Sequence, residues 1–271
     1  MRVRSLIFLT NLLFAISGCA TEAPPRQALA APAAVSAPQA PATTPPAALS
    51  RTEDYLTPAS LNLYRLLPPP PEAGSAQERA ELDELLKIQA GRSPAAAQRA
   101  LDDATVSIFR FADALGNPPG FTPSQVPLTA QLFQRIGRAE SLFINAAKDA
   151  YGRPRPFLTE PRLAPVAPKL PSASYPSGHT TWAVACAIVL ADMLPEQRAQ
   201  IFARADEYSR NREVGGVHYP SDVAACHLAG TALAVELLHS PAFLDDEVVA
   251  AAELRAVLGL PPLPRQKLYR H

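Results

Sequence analysis

Residues 178–194, GHTTWAVACAIVLADML, constrain this chain more than any other stretch. Between Thr181 and Leu194 only Asp192 is charged, and nothing alternates with period two. A helix that is apolar around its whole circumference must be buried on all sides. The rest of the chain must therefore build a shell around it. A polar knot, Ser177-Gly178-His179, stands at the mouth of this segment, where a purely structural helix needs neither a histidine nor a glycine.

The shell is written in helical periodicity. SAQERAELDELLKIQAGR (75–92) starts with Ser75 as N-cap and Glu78 three residues on, a capping-box pattern. SPAAAQRALDDATVSIFRFADALG (93–116) has Ser93 as cap, Pro94 at the first helical position and Gly116 as stop. In TAQLFQRIGRAESLFINAAKDAYG (129–152), Leu132, Ile136, Leu142, Phe143 and Ala146 form an apolar stripe that Gly152 ends. EQRAQIFARADEYSRNR (196–212), a segment from Pro220 and DDEVVAAAELRAVLG (245–259) supply the rest. Hairpin turns and strand alternation are lacking. The pattern predicts a single compact multi-helix domain, all-α, over 51–271.

The first fifty residues read differently. Arg2 and Arg4 precede the apolar run LIFLTNLLFAI, and ISGC follows. That order predicts a signal peptide over 1–18, with Cys19 lipidated as in a bacterial lipobox. Ala20 follows the cysteine where an aspartate would signal inner-membrane retention, so the expected address is the periplasm, as an outer-membrane lipoprotein. Residues 19–50 are almost all Ala, Pro, Ser and Thr, and hold many of the 30 prolines. Such a segment buries too little to order itself and reads as a tether. No second run of about 20 apolar residues follows, so the lipid anchor is the expected membrane contact. Lys+Arg and Asp+Glu both number 25, so no global field favours a nucleic-acid polymer. Cys186 and Cys226 leave two options equally open, a disulfide and two buried thiols.

Three polar clusters interrupt the helices, each at a helix end: Lys148 with Arg153 and Arg155 in KDAYGRPRP, Ser177, Gly178 and His179 in PSGHT, and Arg212, His218 and Asp222 in NREVGGVHYPSD. Lysine and arginine grip anionic oxygens. Gly178 lets backbone N–H groups approach an anion at a helix start, and Ser177 caps that helix or donates its hydroxyl. Asp222, four residues after His218, is placed to hold one imidazole nitrogen and free the other for attack on phosphorus. His179 is a candidate general acid. His218 and Asp222 alone make a poor metal set, so the expected site has no metal and no cofactor. His227, His239 and His271 have no supporting neighbours. Tyr175 stands where a nucleophile elbow needs glycine, which argues against a serine hydrolase.

In order and spacing, Lys148-x6-Arg155-Pro156, Pro176-Ser177-Gly178-His179 and Arg212-x5-His218-x3-Asp222 resemble the three-part signature of the type 2 phosphatidic acid phosphatase superfamily, which includes vanadium haloperoxidases. SYPSGHT and LLPPPPEAGSA resemble its bacterial class A non-specific acid phosphatases. The resemblance runs from about residue 55 to 245. It implies an all-α fold and metal-independent hydrolysis of phosphomonoesters such as nucleotides and sugar phosphates. His218 would be the nucleophile forming a phosphohistidine, Asp222 its orienting partner and His179 the acid. Lys148, Arg155, Ser177, Gly178 and Arg212 would hold phosphate. It further implies inhibition by vanadate, and leaves homo-oligomerisation open. Arg153 matches no signature position and reads as a secondary charge. Asn211 replaces the usual serine, Ser209-Arg210 is a decoy with one residue too many before His218, and Ala173 replaces a usual glycine. The alternatives are a lipid-phosphate phosphatase at the envelope membrane and a vanadium-dependent haloperoxidase.

Overall fold

A computed structural model describes residues 48–50 and 54–264. Cys19, most of the tether and His271 lie outside those residues. Among the described residues the regular structure is helical, without a strand: α1 (Leu63–Leu66), α2 (Ala76–Gly91), α3 (Pro94–Asp102), α4 (Pro127–Tyr151), α5 (Pro156–Thr159), α6 (Gly178–Met193), α7 (Arg198–Val214), α8 (Pro220–Leu238) and α9 (Pro241–Val257), with a 3-10 segment at Ile108–Leu115. The all-α expectation holds.

The apolar segment is the axis of the domain. α6 packs on α4, α7, α8 and α9, and twelve of its sixteen residues are buried. Gly230 explains how near α8 comes. A Cβ there would lie 2.6 Å from the Val184 Cβ and 2.7 Å from the Thr181 carbonyl oxygen, so only a glycine fits between the two backbones. α8 is itself long and apolar enough to cross a bilayer by length and composition, although sequence reading finds no such second run. Half of it is buried inside the domain.

Caps set the helix starts. Ser75 Oγ accepts from Glu78 N at 3.1 Å, while Glu78 Oε2 accepts from Gly74 N at 2.7 Å, one residue before the reciprocal box bond expected from the sequence. Ser93 Oγ accepts from Ala96 N, and Gly152 adopts the left-handed conformation (φ 61°) that ends α4. Two expectations are corrected. The helix foreseen over 93–116 stops at Asp102. Asp103 is fully buried and accepts from Arg110, Arg204 and Asn211, and that ion-pair cluster outweighs continuation of the helix. Second, the buried stripe of α4 runs through Leu132, Ile136, Ala139, Phe143 and Ala147, leaving Leu142 and Ala146 exposed. Over 25 residues a 3.6-residue turn carries the stripe past positions that a short window places on it.

Leu49 and Ser50, which composition assigns to the tether, already belong to the fold. Leu49 is buried, and Asp246 of α9 accepts from Ser50 N at 2.6 Å, Tyr55 Oη at 2.7 Å and Arg135 Nη1 at 2.9 Å. Cys186 and Cys226 are free, buried thiols, so the disulfide is not formed. The Cys226 sulfur lies 3.0 Å from the Ser177 carbonyl oxygen and 2.9 Å from that of Asp222, tying α8 to the start of α6.

Candidate active site

The fold brings the three polar clusters to one place. Lys148 sits on the last turn of α4, Arg155 just before α5, Ser177 and Gly178 at the start of α6, Arg212 on the last turn of α7, and His218 and Asp222 around the start of α8. The turn between α7 and α8 needs its glycines. Gly216 is left-handed (φ 75°), and a Cβ on Gly215 would lie 2.9 Å from the Asn211 carbonyl oxygen. That tight reversal aims His218 back toward Arg155.

The geometry assigns the His218 tautomer. Arg155 Nη1 lies 2.7 Å from His218 Nε2, and a guanidinium only donates, so Nε2 carries the lone pair. The ring proton is on Nδ1, which donates to Asp222 Oδ2 at 3.2 Å. Asp222 is fully buried, and its Oδ2 also accepts from Tyr219 N at 3.0 Å and from Ser174 Oγ. His179 is half-buried, stacked on Tyr208 (6.4 Å between centroids, 22°), and its Nε2–H donates to the Ala104 carbonyl at 3.0 Å.

The cations crowd one another. Lys148 Nζ donates to the Ala173 carbonyl at 2.5 Å. Arg155 donates to the carbonyls of Ser172 and Val217 at 2.9 and 2.8 Å. Arg212 is 1% exposed, and its Nε and Nη1 have no hydrogen-bond partner within the protein. Buried guanidinium donors without a partner are a strong demand for an anion. Burial first, and then the charge of Arg155, lowers Lys148 to about 8. Arg155 falls to about 10 through burial, opposed in part by Asp222 and reinforced by Arg212. Burial and Arg212 hold His179 at about 3, and burial with Arg155 pushes His218 well below the usual imidazole range. Both rings are neutral in this cationic field, which leaves a nucleophilic lone pair on His218. Ser177 Oγ caps α6, accepting from Thr180 N at 3.4 Å, and Gly178 is the first residue of that helix.

The residues set aside in the sequence separate into two kinds. Arg210 is exposed and Ser209 Oγ donates back to the Ala205 carbonyl, so that pair is indeed a decoy. Asn211 has a defined task, since its amide donates to Asp103 Oδ2 at 2.7 Å, inside the cluster behind Arg212. Arg153, read from the sequence as a secondary charge, is a buried one. It is 5% exposed and ion-paired to Asp222 at 2.7 Å and to Glu81 at 2.9 Å. Sequence reasoning missed Glu81 altogether, and also Glu140, whose buried Oε1 would lie 2.8 Å from a Cβ on Gly178. Nothing local marks either one. A cavity of about 620 Å³, walled by Tyr55, Leu56, Val106 and Leu142, opens beside Glu140.

Comparison with known proteins agrees with this geometry. The PAP2 superfamily model matches residues 136–244, which include all three clusters. A non-specific acid phosphatase of Providencia stuartii is 30% identical over 194 residues, spanning 67% of this chain and 75% of that protein. The non-specific acid phosphatase of Salmonella typhi is 29% identical over 193 residues (68% and 76%). An acid phosphatase of Zymomonas mobilis is 30% identical over 199 (69% and 74%). The chain belongs to the bacterial non-specific acid phosphatases of the PAP2 superfamily, and it is a phosphatase.

Proposed function

We propose that this enzyme hydrolyses small phosphomonoesters through a phosphohistidine on His218. The phosphate group sits among Lys148, Arg155, Arg212, Ser177 and the Gly178 amide, where the positive end of α6 adds to the cationic field. The His218 Nε2 lone pair forms a bond to phosphorus as the ester P–O bond breaks. The His179 imidazolium gives its proton to the departing alkoxide. In the second half His179 takes a proton from water, the hydroxide attacks phosphorus, the P–N bond breaks and inorganic phosphate leaves. Lys148, Arg155 and Arg212 offset the charge on the equatorial oxygens throughout. The observation that carries this reading is the His218 tautomer, with Nε2 as acceptor beside three buried cations.

His179 needs its proton, yet burial first, and then the cationic field led by Arg212, hold it at about 3. A bound phosphate reverses that field, so substrate and proton enter together. Turnover is thereby favoured toward acid pH. A cluster ruled by lysine and arginine repels cations, which supports catalysis without a metal.

The N-terminal order of charge, apolar run and Cys19 supports a periplasmic lipoprotein, tethered by residues up to about 48. The test is hydrolysis of a chromogenic phosphomonoester at mildly acidic pH with a chelator present. Turnover that vanadate inhibits is expected. Activation by vanadate would select the haloperoxidase alternative. Turnover only on phosphatidic acid vesicles would select a lipid phosphatase.

A further inference from the structure

Arg153 matches no position of the three-part signature, but its place in the fold connects it to the proposed nucleophile. Its Nη1 donates to Asp222 Oδ1 at 2.7 Å and to Ser221 Oγ at 2.8 Å, and its Nη2 donates to Glu81 Oε2 at 2.9 Å. The guanidinium carbon lies over the Tyr219 ring, 3.7 Å from the centroid. Glu81 Oε1 accepts from Ser221 N at 2.8 Å, so a carboxylate of α2 caps the first turn of α8 and anchors the arginine. The result is a buried chain, Glu81–Arg153–Asp222–His218, that ends on the proposed nucleophile.

We propose that Arg153 is a positioning residue for the reaction, keeping Asp222 an anionic acceptor so that the His218 proton stays on Nδ1 and the lone pair on Nε2. The proposal rests on His218 being the attacking group. A protonated Asp222 would donate to Nδ1 instead, and the ring proton would move to Nε2, where it blocks attack. Burial drives Asp222 toward that protonated form, and Arg153 is the principal group opposing it.

The ionisable groups facing Asp222 show why this arginine decides. His218 and Cys226 lie beside it along the same stretch of chain, with Tyr219 at the cap. Tyr175 faces it from the loop before α6, and Glu213 from α7. Lys148 and Arg155 face it as cations, but a phosphate held by both neutralises them at the moment of reaction. Arg153 makes a direct ion pair with Asp222, and its other partners are Glu81 and Ser221 rather than a residue proposed to hold phosphate. Its charge therefore remains available to Asp222 when substrate is bound.

The test compares pH profiles of kcat and KM for the full chain and for Arg153→Met, Arg153→Lys and Glu81→Gln, with His218→Ala as reference. Arg153→Met should move the acid limb of kcat upward by about one to three pH units, the effect of removing an adjacent opposite charge. Activity should be lost at acid pH and recovered as pH rises, with KM little changed. Arg153→Lys should restore much of the acid limb. Glu81→Gln removes the competitor for Arg153 and should move the limb the other way, downward. An equal loss at every pH, or limbs unmoved in folded variants, would overturn the proposal and leave Arg153 a structural residue. If Arg153→Met does not fold, the opposite shift in Glu81→Gln still decides, and its absence counts against the proposal. Wild-type-like turnover by His218→Ala would instead strike the nucleophile assignment itself.

Discussion

Arg212 shows at the scale of one residue how function and stability part company. Its buried Nε and Nη1 donors lack partners within the protein, and each such group costs about 1–3 kcal/mol. Arg212→Met keeps the volume and removes the charge. Stability should rise by about 1–2 kcal/mol, and the melting temperature with it, while phosphate binding weakens at least about tenfold, since a hydrogen bond to a charged group contributes about 1.5–3 kcal/mol. Calorimetry with inorganic phosphate and a thermal melt check both. A fall in stability would mean that Arg212 already has an adequate partner. His179 gives a second prediction. It is held at about 3 by burial and Arg212, so above that pH it is neutral before substrate binds. Binding of phosphate or vanadate near pH 6 should take up protons, seen as a binding enthalpy that changes with the ionisation enthalpy of the buffer. Proton release would contradict the proposed acid role. The residues of the three clusters are legible in sequence because each lies in a short segment at a helix end. Arg153, Glu81 and Asn211 are not legible as partners, since their contacts join positions 69 to 140 apart.

Among the elements, the α6–α8 contact sets the position of the site, because the start of each helix carries part of it. Gly230→Ala would put a methyl group against Val184 and the Thr181 backbone oxygen. Overpacking of this kind costs about 1–3 kcal/mol, only partly offset by the better helix propensity of alanine, about 1 kcal/mol. Denaturant unfolding should show a net loss, and a net gain would mean that the helices separate without strain. Element starts were easier to foresee than element ends. Ser75, Ser93 and Pro220 announce helices through local chemistry. The break after Asp102 is dictated by Arg204 and Asn211, about a hundred residues away, and no local window contains that information. The α4 stripe is a milder case, in which local periodicity finds the helix but misplaces Leu142 and Ala146.

For the whole molecule, buried carboxyls tie stability to acidity. Glu140 and Glu247 are each raised to about 8, chiefly by burial, and each has an oxygen without a hydrogen-bond partner. A carboxyl whose folded pKa exceeds its ordinary value stabilises the fold fully below about 4.5 and loses that contribution as pH rises toward 8. His218 and His179 act oppositely, since their depressed values cost stability as pH falls below about 6.5. Glu140→Gln should therefore leave stability near pH 4 almost unchanged and raise it at pH 8 relative to the unaltered chain, in melts at the two pH values. Equal shifts at both would show that Glu140 does not titrate in this range. The all-α architecture is legible at this scale because a central helix apolar on every face admits few other solutions. The boundary of the tether was less so, because Leu49 and Ser50 are held by Asp246, nearly two hundred positions later.

The central claim is that phosphate passes through His218. The most direct test is to mix the full chain with a phosphomonoester carrying labelled phosphorus and quench in alkali within a single turnover. Label on the protein that survives alkali, is lost in acid and maps to His218 is expected, with none on a folded His218→Ala variant. Label elsewhere, or an unlabelled protein during full turnover, would contradict it.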